Sequence, residues 1–200
     1  MARLIRLGRV DYREAWARQQ AELAAVIDGA ENAVILCEHE SVYTVGRKRG
    51  ALANVLHPGG TPVIEVERGG DVTWHGPGQA VAYPILRLEG DGRDLHAHLR
   101  RLEDLVIDVC ADLGLEAGRD ARNTGVWHDG RKLCSIGVAC RRWVTWHGLA
   151  VNADPDLSAF QAINPCGFSS EVMTSLSREL GVRCTVDEVE LLLAERMRGW

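Results

Sequence analysis

Among the charged side chains of this sequence, lysine is the scarcest. The 200-residue chain has 23 lysine and arginine residues together, and only Lys48 and Lys132 are lysines. Arginine stays protonated in proteins, whereas a lysine amine can lose its proton when it is desolvated. The two lysines are therefore candidates for proton chemistry in a chain that otherwise uses arginine.

Other absences narrow the class of protein. No window approaches the roughly 20 apolar residues of a membrane span, and no early apolar run is typical of a signal peptide, so we expect a cytoplasmic protein that binds no membrane. The net charge of −5 comes without a basic stripe, which argues against a nucleic-acid partner. The six cysteines form no C-x-x-C pair. The pair His96 and His98 would point about 200° apart on a helix, so we interpret both as solvated or helix-flank residues and predict no metal site.

What the sequence contains is a mixture of helical and extended patterns. Apolar residues at helical spacing predict helices that begin after Asp11, at Leu95 and after Thr185. Short β-rich runs predict strands at AVILC, SVYTVG, PVIEVE and WVTWHGLAVN, and Asp129-Gly130 predicts a hairpin turn. With 46% hydrophobic residues, we predict one α+β (mixed α/β) domain over residues 1–200.

One cysteine has an unusual setting. Cys166 lies between Pro165 and Gly167 in the segment QAINPCGFSS. Proline fixes its own φ and biases Asn164 toward an extended shape, while glycine lets the backbone approach a ligand closely. The pattern suits a thiol presented on a shaped loop, but an inert cysteine in a buried turn would give the same pattern.

Lys132 is the stronger candidate for a proton partner of that thiol. Alternation places Lys132, Cys134 and Ile136 on one face of the predicted hairpin strand, with the amine at the end of an apolar row. Partial desolvation lowers the pKa of an amine and suits it to exchange a proton with a thiol. A strand-end lysine that reaches water explains the same pattern. Lys48, in the basic run GRKRG, is typical of a solvated loop.

A glycine-rich stretch covers Arg68 to Leu86. It contains neither a P-loop nor a G-x-G-x-x-G pattern that opens a helix, so phosphate binding is not supported. Its glycines can let the backbone lie against a substrate, with Arg68, His75 and Gln79 as nearby polar groups. A purely structural cluster of turns is the alternative.

Taken together, these segments resemble the lipoyl(octanoyl) transferases, also called octanoyl-[acyl-carrier-protein]:protein N-octanoyltransferases. The stretch RGGDVTWHGPGQAVAYPIL is similar to the family's long signature, and GRKLCSIG, TWHGLAVN and INPCGF follow in the family's order, with HESVYTVGR upstream. The likeness covers most of residues 38–174. The sequence departs from the family's common residues at Trp74, Trp146, Glu40-Ser41 and Cys134.

The resemblance implies a mixed sheet flanked by helices, as in lipoate- and biotin-protein ligases. It implies that Cys166 is the acyl-accepting nucleophile and that Lys132 is its proton partner. It also implies an acyl site built from three segments, whose residues are Arg68, Gly69, Gly70, Asp71, Val72, Thr73, Trp74 and His75, then Ser135, Ile136 and Gly137, then Gly148, Leu149 and Ala150.

The reaction that the resemblance implies moves an octanoyl group from octanoyl-acyl carrier protein to Cys166, as a thioester, and then to a lysine of a lipoyl domain. The implied acceptors are the lipoyl domains of 2-oxoacid dehydrogenases and the glycine-cleavage H protein, and the process is protein lipoylation in lipoate biosynthesis. Because the donor is an activated thioester, we expect no cofactor. The alternatives are a lipoate- or biotin-protein ligase-like enzyme using ATP, a binding module without chemistry, and a cysteine hydrolase, which a Cys-Lys pairing without histidine and acid partners disfavours. The cysteine of NPCG favours the transferase, since an adenylating ligase needs no nucleophilic thiol.

Overall fold

The computed structural model describes residues 1–165 and 168–200, so Cys166 and Gly167 lie outside the described residues. The strands are β1 (Arg3–Val10), β2 (Ala33–His39), β3 (Val42–Val45), β4 (Val63–Glu65), β5 (Val72–His75), β6 (Gln79–Ile85), β7 (Gly118–Asp120), β8 (Asn123–His128), β9 (Arg131–Arg141) and β10 (Val144–Asn152). The helices are α1 (Tyr12–Ile27), α2 (Leu95–Asp112), α3 (Leu176–Leu180) and α4 (Val186–Met197). Short 3-10 turns cover Ala51–Asn54, Gly90–Gly92, Leu157–Ala162 and Ser170–Val172.

Two sheets organise these elements. The larger sheet has the strand order β1-β2-β6-β10-β9-β8-β7, and its neighbouring strands are antiparallel except for the parallel pair β1 and β2. The smaller sheet has the order β4-β3-β5, in which β4 is parallel and β5 antiparallel to β3. This mixed sheet, with helices packed on it, confirms the predicted α+β class.

Helices cover both faces of the larger sheet. In β2, Val34 and Leu36 belong to the apolar cluster of α2 and α4, whereas Ala33, Ile35 and Cys37 belong to the cluster of α1. Successive side chains of a strand point to opposite faces, so a strand covered on both sides is apolar at every position. The run AVILC is continuously apolar for this reason, and each of its residues is fully buried.

The local start and turn signals in the sequence are present in the structure. The side chain of Asp11 accepts a hydrogen bond from the backbone of the first turn of α1. Thr185 and Glu188 form a reciprocal capping box at the start of α4. Asp129 and Gly130 join β8 to β9 with φ values of 45° and 74°, the positive angles that a tight hairpin turn requires.

Strands β1, β5, β6 and β7 are not predicted by the sequence patterns. β1 lies at the edge of the larger sheet and its residues are largely exposed or half-buried, so it lacks a clear apolar alternation. β5 and β6 lie inside the glycine-rich stretch, where the turn between them needs Gly78 at φ +91°. A Cβ at Gly78 would also lie 2.5 Å from the backbone of Asp154.

A further apolar cluster packs against the smaller sheet and fixes the segments on either side of positions 166 and 167. Phe160 and Ile163 come from the preceding segment and Met173 from the following one. All three side chains are buried. The chain is therefore anchored both before and after the predicted nucleophile.

Candidate active site

A cavity of about 200 Å³ is lined by residues from both sheets. The antiparallel pairing of β9 and β10 aligns Ser135 with Ala150, Ile136 with Leu149 and Gly137 with Gly148, so two segments distant in sequence form one wall. Of the predicted site residues, the lining contains Arg68, Gly69, Gly70, Asp71, Val72, Thr73, His75, Lys132, Ser135, Ile136, Gly137, Gly148, Leu149 and Ala150.

Trp74 is not in the lining of the cavity. Its indole packs edge-on against Phe160, with the ring centroids 5.4 Å apart, and its Nε1 donates to Ser41 Oγ at 2.8 Å. Trp74 follows Thr73 and precedes His75 in β5, and alternation along a strand sends its side chain to the opposite face from theirs. The structure thus separates Trp74 from the other residues of its predicted segment.

Lys132 is buried at one wall of the cavity, with 3% of its surface exposed. Its Nζ donates a hydrogen bond to Asn123 Oδ1 at 2.8 Å and lies 5.3 Å from the ring centroid of Trp127. Gly125 makes room for the side chain, because a Cβ at that position would lie 2.6 Å from Lys132 Cε. A lysine amine that reaches water from a strand end does not match this burial.

The side chain of Lys132 is not positioned in β9 by simple alternation of residues between the two faces of the strand. The pairing of β8 with β9 shifts between Val126↔Cys134 and Trp127↔Lys132, which leaves Leu133 as an extra residue. Leu133 and Cys134 are both fully buried in the cluster of α2 and α4. This bulge interrupts the expected alternation of Lys132 with Cys134, and bulges commonly re-aim side chains beside active sites.

Residues that flank positions 166 and 167 contact the surroundings of Lys132. Phe168 packs edge-on against Trp127, with the ring centroids 6.3 Å apart. Further along, Thr174 N donates to Lys132 O at 3.0 Å. The segment that follows Cys166 in the sequence is therefore attached to the strand and to the aromatic ring that surround the lysine.

Arg68 and Asp71 hold the glycine-rich loop against β3. The Arg68 guanidinium donates to Thr44 O at 2.7 Å, to Thr44 Oγ1 at 2.9 Å and to Asp71 O at 2.8 Å. The buried Asp71 carboxylate accepts from Lys48 Nζ at 2.8 Å and from Asn54 Nδ2 at 2.8 Å. Burial raises the pKa of Asp71, but these hydrogen bonds outweigh it and hold the pKa below its usual value. Both residues fix the shape of the cavity wall.

A buried polar chain connects His75 to the strand of Lys132. Gln79 Nε2 donates to Trp74 O at 3.2 Å and to Asn152 Oδ1 at 2.8 Å, which leaves Gln79 Oε1 to accept from His75 Nδ1 at 3.3 Å. Asn152 Nδ2 in turn donates to Thr174 O at 2.8 Å. Burial holds the pKa of His75 well below its usual value, so the imidazole is neutral with Nε2 unprotonated.

The cavity also has lining residues that the sequence analysis did not assign to the site. They are Tyr12, Tyr83, Leu99, Asn123, Thr124, Val138 and His147. Tyr83 OH donates to His39 Nε2 at 2.7 Å, and His39 Nδ1 donates to Val10 O at 3.1 Å, so His39 is neutral and locked in one tautomer. The repeated Thr-Trp-His-Gly of residues 73–76 and 145–148 is the one sequence signal that could have added His147.

Five cysteines lie within the described residues, and all are free thiols. Burial raises the pKa of Cys134, against a smaller lowering by Lys132, and burial also raises the pKa of Cys184 to about 11. A thiol with a raised pKa is a poor nucleophile at neutral pH. The described cysteines therefore suit packing, and the pKa of Cys134 makes it a poor competitor although it neighbours Lys132.

Neutral buried histidines make the stability of the fold depend on pH. Burial lowers the pKa of His39 to about 4, and burial with the nearby Arg101 lowers the pKa of His98 to about 4. His98 is thus buried, so of the two interpretations the solvated one is wrong for this residue, because it lies four residues before Leu102 on the buried stripe of α2. Burial, with the charge of Arg68, lowers the pKa of His147 to about 3.

These histidines bind protons more readily in the unfolded chain, so their contribution is complete above pH 6.5 and is lost as the pH falls toward 4. We expect the Tm to fall by at least about 5 °C between pH 7.5 and pH 5.5, above the range in which carboxylates titrate. His98→Leu should reduce this slope, whereas His96→Leu, an exposed neighbour, should leave it unchanged. A Tm that stays constant over this range would contradict the assignment of neutral buried histidines.

Among the described residues, no helix is long and apolar enough to cross a membrane. No group of three or more histidine, cysteine, aspartate or glutamate side chains in the described part of the chain is placed to hold a metal ion.

Comparison with known proteins places this chain in a family. The sequence model of the lipoyl protein ligase A/B catalytic domain matches residues 11–198. An octanoyltransferase of Geobacter sulfurreducens is 48% identical over 198 residues, which are 98% of this chain and 83% of the relative. An octanoyltransferase of Mycobacterium tuberculosis is 49% identical over 191 residues, which are 94% of this chain and 82% of the relative. The chain belongs to the lipoyl protein ligase A/B catalytic-domain family and, within it, to the octanoyltransferases, which are transferase enzymes.

Solved structures agree on the fold. A lipoate protein ligase from Thermoplasma acidophilum superposes with a TM-score of 0.72 at 16% identity, over 97% of this chain and 81% of that chain. The biotin protein ligase from Aquifex aeolicus superposes with a TM-score of 0.55 at 12% identity, over 100% of this chain and 69% of that chain. At these identities the likeness shows the fold alone, and it confirms the predicted fold, which resembles that of the lipoate- and biotin-protein ligases.

Proposed function

We propose that this protein transfers an octanoyl group from octanoyl-acyl carrier protein, through a thioester on Cys166, to a lysine of a lipoyl domain. The observation that carries the proposal is the buried amine of Lys132 at the wall of the cavity, beside Trp127, whose ring packs against Phe168. Phe168 follows Cys166 by two residues, which span at most about 7 Å of chain. The identity of about half with octanoyltransferases over nearly the whole chain supports the acyl group.

In the first half-reaction, Cys166 Sγ attacks the carbonyl carbon of the donor thioester. Lys132, with its amine unprotonated, takes the proton of the thiol and then gives it to the leaving thiolate of the donor. One thioester forms as the other breaks, so no oxidant or ATP is needed. A free thiol with a pKa near 8.5 is only about 3% thiolate at pH 7, which is why the step needs a base.

In the second half-reaction, the acceptor lysine attacks the Cys166 thioester through its unprotonated amine. Lys132 takes the proton that the amine loses and gives it to the Cys166 thiolate as that group leaves. Acid–base catalysis of this kind is worth about 10² to 10⁴ in rate. Asn123 Oδ1, which accepts from Lys132 Nζ, orients the amine through both steps.

The acyl chain in this proposal lies along the paired strands β9 and β10. From Ser135 to Val138 the strand advances about 10 Å at roughly 3.3 Å per residue. Gly137 and Gly148 let this wall pack closely against its neighbours, because a Cβ at Gly137 would lie 2.9 Å from Gly69 O and a Cβ at Gly148 would clash with Ala82 O. Tyr83 and His147 close the far end, where His147 pairs with Val138 across the strands.

The proposed acceptors are the lipoyl domains of 2-oxoacid dehydrogenases and the glycine-cleavage H protein, and residues 1–200 act as one acyltransferase domain. The support for one domain is that a single family model spans residues 11–198. The support for lipoyl-domain acceptors is membership of a family whose model describes lipoyl protein ligases.

The test compares two acyl sources with the same purified protein and a lipoyl domain. Octanoyl-acyl carrier protein without ATP should yield octanoylated lipoyl domain, measured by mass spectrometry, and free octanoate with ATP and Mg²⁺ should yield none. If product forms from octanoate and only when ATP is present, the protein is an adenylating ligase and not the proposed transferase. No product from either source would remove both functions.

A further inference from the structure

A basic segment lies beside the cavity, and neither the predicted site nor the proposed mechanism uses it. Arg47, Lys48 and Arg49 are all exposed. The 3-10 turn Ala51–Asn54 follows, and two large apolar side chains project into solvent from this region: Leu52 is 54% exposed and Leu56 is 43% exposed. We call residues 47–56 the basic loop.

One end of the basic loop is attached to the cavity wall. Arg47 N donates to Arg68 O at 3.0 Å, and Lys48 N donates to Gly70 O at 3.0 Å. Lys48 Nζ also pairs with the buried carboxylate of Asp71 at 2.8 Å. The glycine-rich segment that lines the cavity therefore carries the basic loop on its outer side.

The other end of the basic loop is attached to the segment that leads into Cys166. Asn164 N donates to Asn54 O at 2.8 Å, and Leu56 N donates to Ala162 O at 2.8 Å. Val55 and Ile163 form an antiparallel bridge between these contacts. A protein bound on the basic loop would thus touch both the cavity wall and the chain just before the proposed nucleophile.

We propose that the basic loop docks an acidic face of the carrier protein that delivers the acyl thioester, with Arg47 and Arg49 contacting carboxylates and Leu52 and Leu56 packing at the centre of the contact. The proposal rests on the proposed function. Exposed apolar residues ringed by charge are typical of protein interaction sites. Exposed cations at a contact steer an oppositely charged partner during encounter.

The charge of the rest of the chain makes this surface selective. The chain has a net charge of −5, so an acidic partner is repelled on average and attracted only where cations cluster. Glu65 and Glu67 line the groove next to the basic loop. Because of these two carboxylates, the positive surface does not extend beyond the three basic residues at positions 47–49. The acyl donor carries its thioester on a flexible phosphopantetheine arm. The carrier can therefore bind on the rim while the acyl group enters the cavity, whereas an acceptor lysine on a short side chain must approach the nucleophile itself.

The test uses the double variant Arg47→Glu/Arg49→Glu and leaves Lys48 and its bond to Asp71 intact. Acylation by octanoyl-acyl carrier protein at low salt should slow at least about tenfold, and the difference should shrink as salt is added. Acylation by octanoyl-pantetheine, which has no protein, should be unchanged, as should transfer from the preloaded enzyme to a lipoyl domain. Arg183→Glu/Arg198→Glu is the matched control for charge and should behave as wild type with every substrate.

Binding of the carrier protein, measured by fluorescence anisotropy without turnover, separates this proposal from the proposed function. If the wild-type protein binds the carrier without becoming acylated, and the double variant does not bind it, then the docking surface is supported and the proposed reaction is contradicted. Two binding results would overturn the docking proposal: a wild-type protein that does not bind the carrier, or a double variant that binds it as well as wild type does. Two kinetic results would also overturn it: a double variant that is slowed equally with octanoyl-pantetheine, or one that is slowed only in transfer to the lipoyl domain.

Discussion

Lys132→Arg is expected to reduce turnover by at least about 100-fold, because arginine keeps the positive charge but cannot give up its proton. The proposed mechanism moves a proton through Lys132 in both half-reactions, so both should slow. The effect should appear in kcat rather than in the KM for the donor, since the amine does not hold the carrier protein. Single-turnover kinetics of each half-reaction would measure it.

The other lysine of the chain supplies the control for this experiment. Lys48→Arg makes the same chemical change at an exposed side chain whose role is its ion pair with Asp71, and arginine can keep that pair. We expect near-normal turnover. Thermal unfolding of both variants would show whether the guanidinium disturbs the buried site. If Lys132→Arg has wild-type rates, Lys132 does not act as an acid or base. That result would still be consistent with a role of its positive charge in stabilising the thiolate.

Gly125→Ala is expected to lower turnover by about tenfold or more without changing any polar group. Gly125 has φ +142°, where a residue with a Cβ is strained. The added carbon would lie 2.6 Å from Lys132 Cε and would also clash with Cys134 O. Overpacking of this kind costs about 1 to 3 kcal/mol of stability and would displace the amine from Asn123. The same assay, with a thermal melt, reports both effects.

Gly118→Ala is the matched control, because a Cβ at Gly118 in the edge strand β7 has no neighbour within 4 Å. It should leave turnover and Tm close to wild type. If Gly125→Ala retains wild-type kcat, then the position of the Lys132 amine does not limit the reaction.

Features set by neighbours in sequence could be predicted, and features set by strand pairing could not. The capping box at Thr185 and the Asp129-Gly130 turn depend on a few adjacent residues, and both are present. The bond from Gln79 to Asn152 joins residues 73 positions apart, and no local pattern carries that information. Asn123, which accepts from the Lys132 amine, is only nine positions away in the facing strand of the predicted hairpin, yet the sequence analysis did not assign it to the site.

The candidate site also has features that could be predicted from the sequence and features that could not. The resemblance identified the three segments that line the cavity, but it treated Arg68–His75 as a continuous block. Strand alternation in β5 sends Trp74 into the apolar cluster beneath the smaller sheet, while Thr73 and His75 line the cavity. The bulge at Leu133 is a second example, because alternation alone would have placed Lys132 on the face of Cys134. In both cases the backbone geometry decides which side chains reach the cavity.

Whether Cys166 carries the acyl group can be measured from the intact mass of the protein after incubation with octanoyl-acyl carrier protein, without ATP and without an acceptor. One octanoyl group per chain is expected, released by neutral hydroxylamine as a thioester is. The group should be present in Cys134→Ala, which removes the buried thiol near Lys132, and absent from Cys166→Ala. No adduct on the wild type, or an equal adduct on Cys166→Ala, would contradict the claim that Cys166 carries the acyl group.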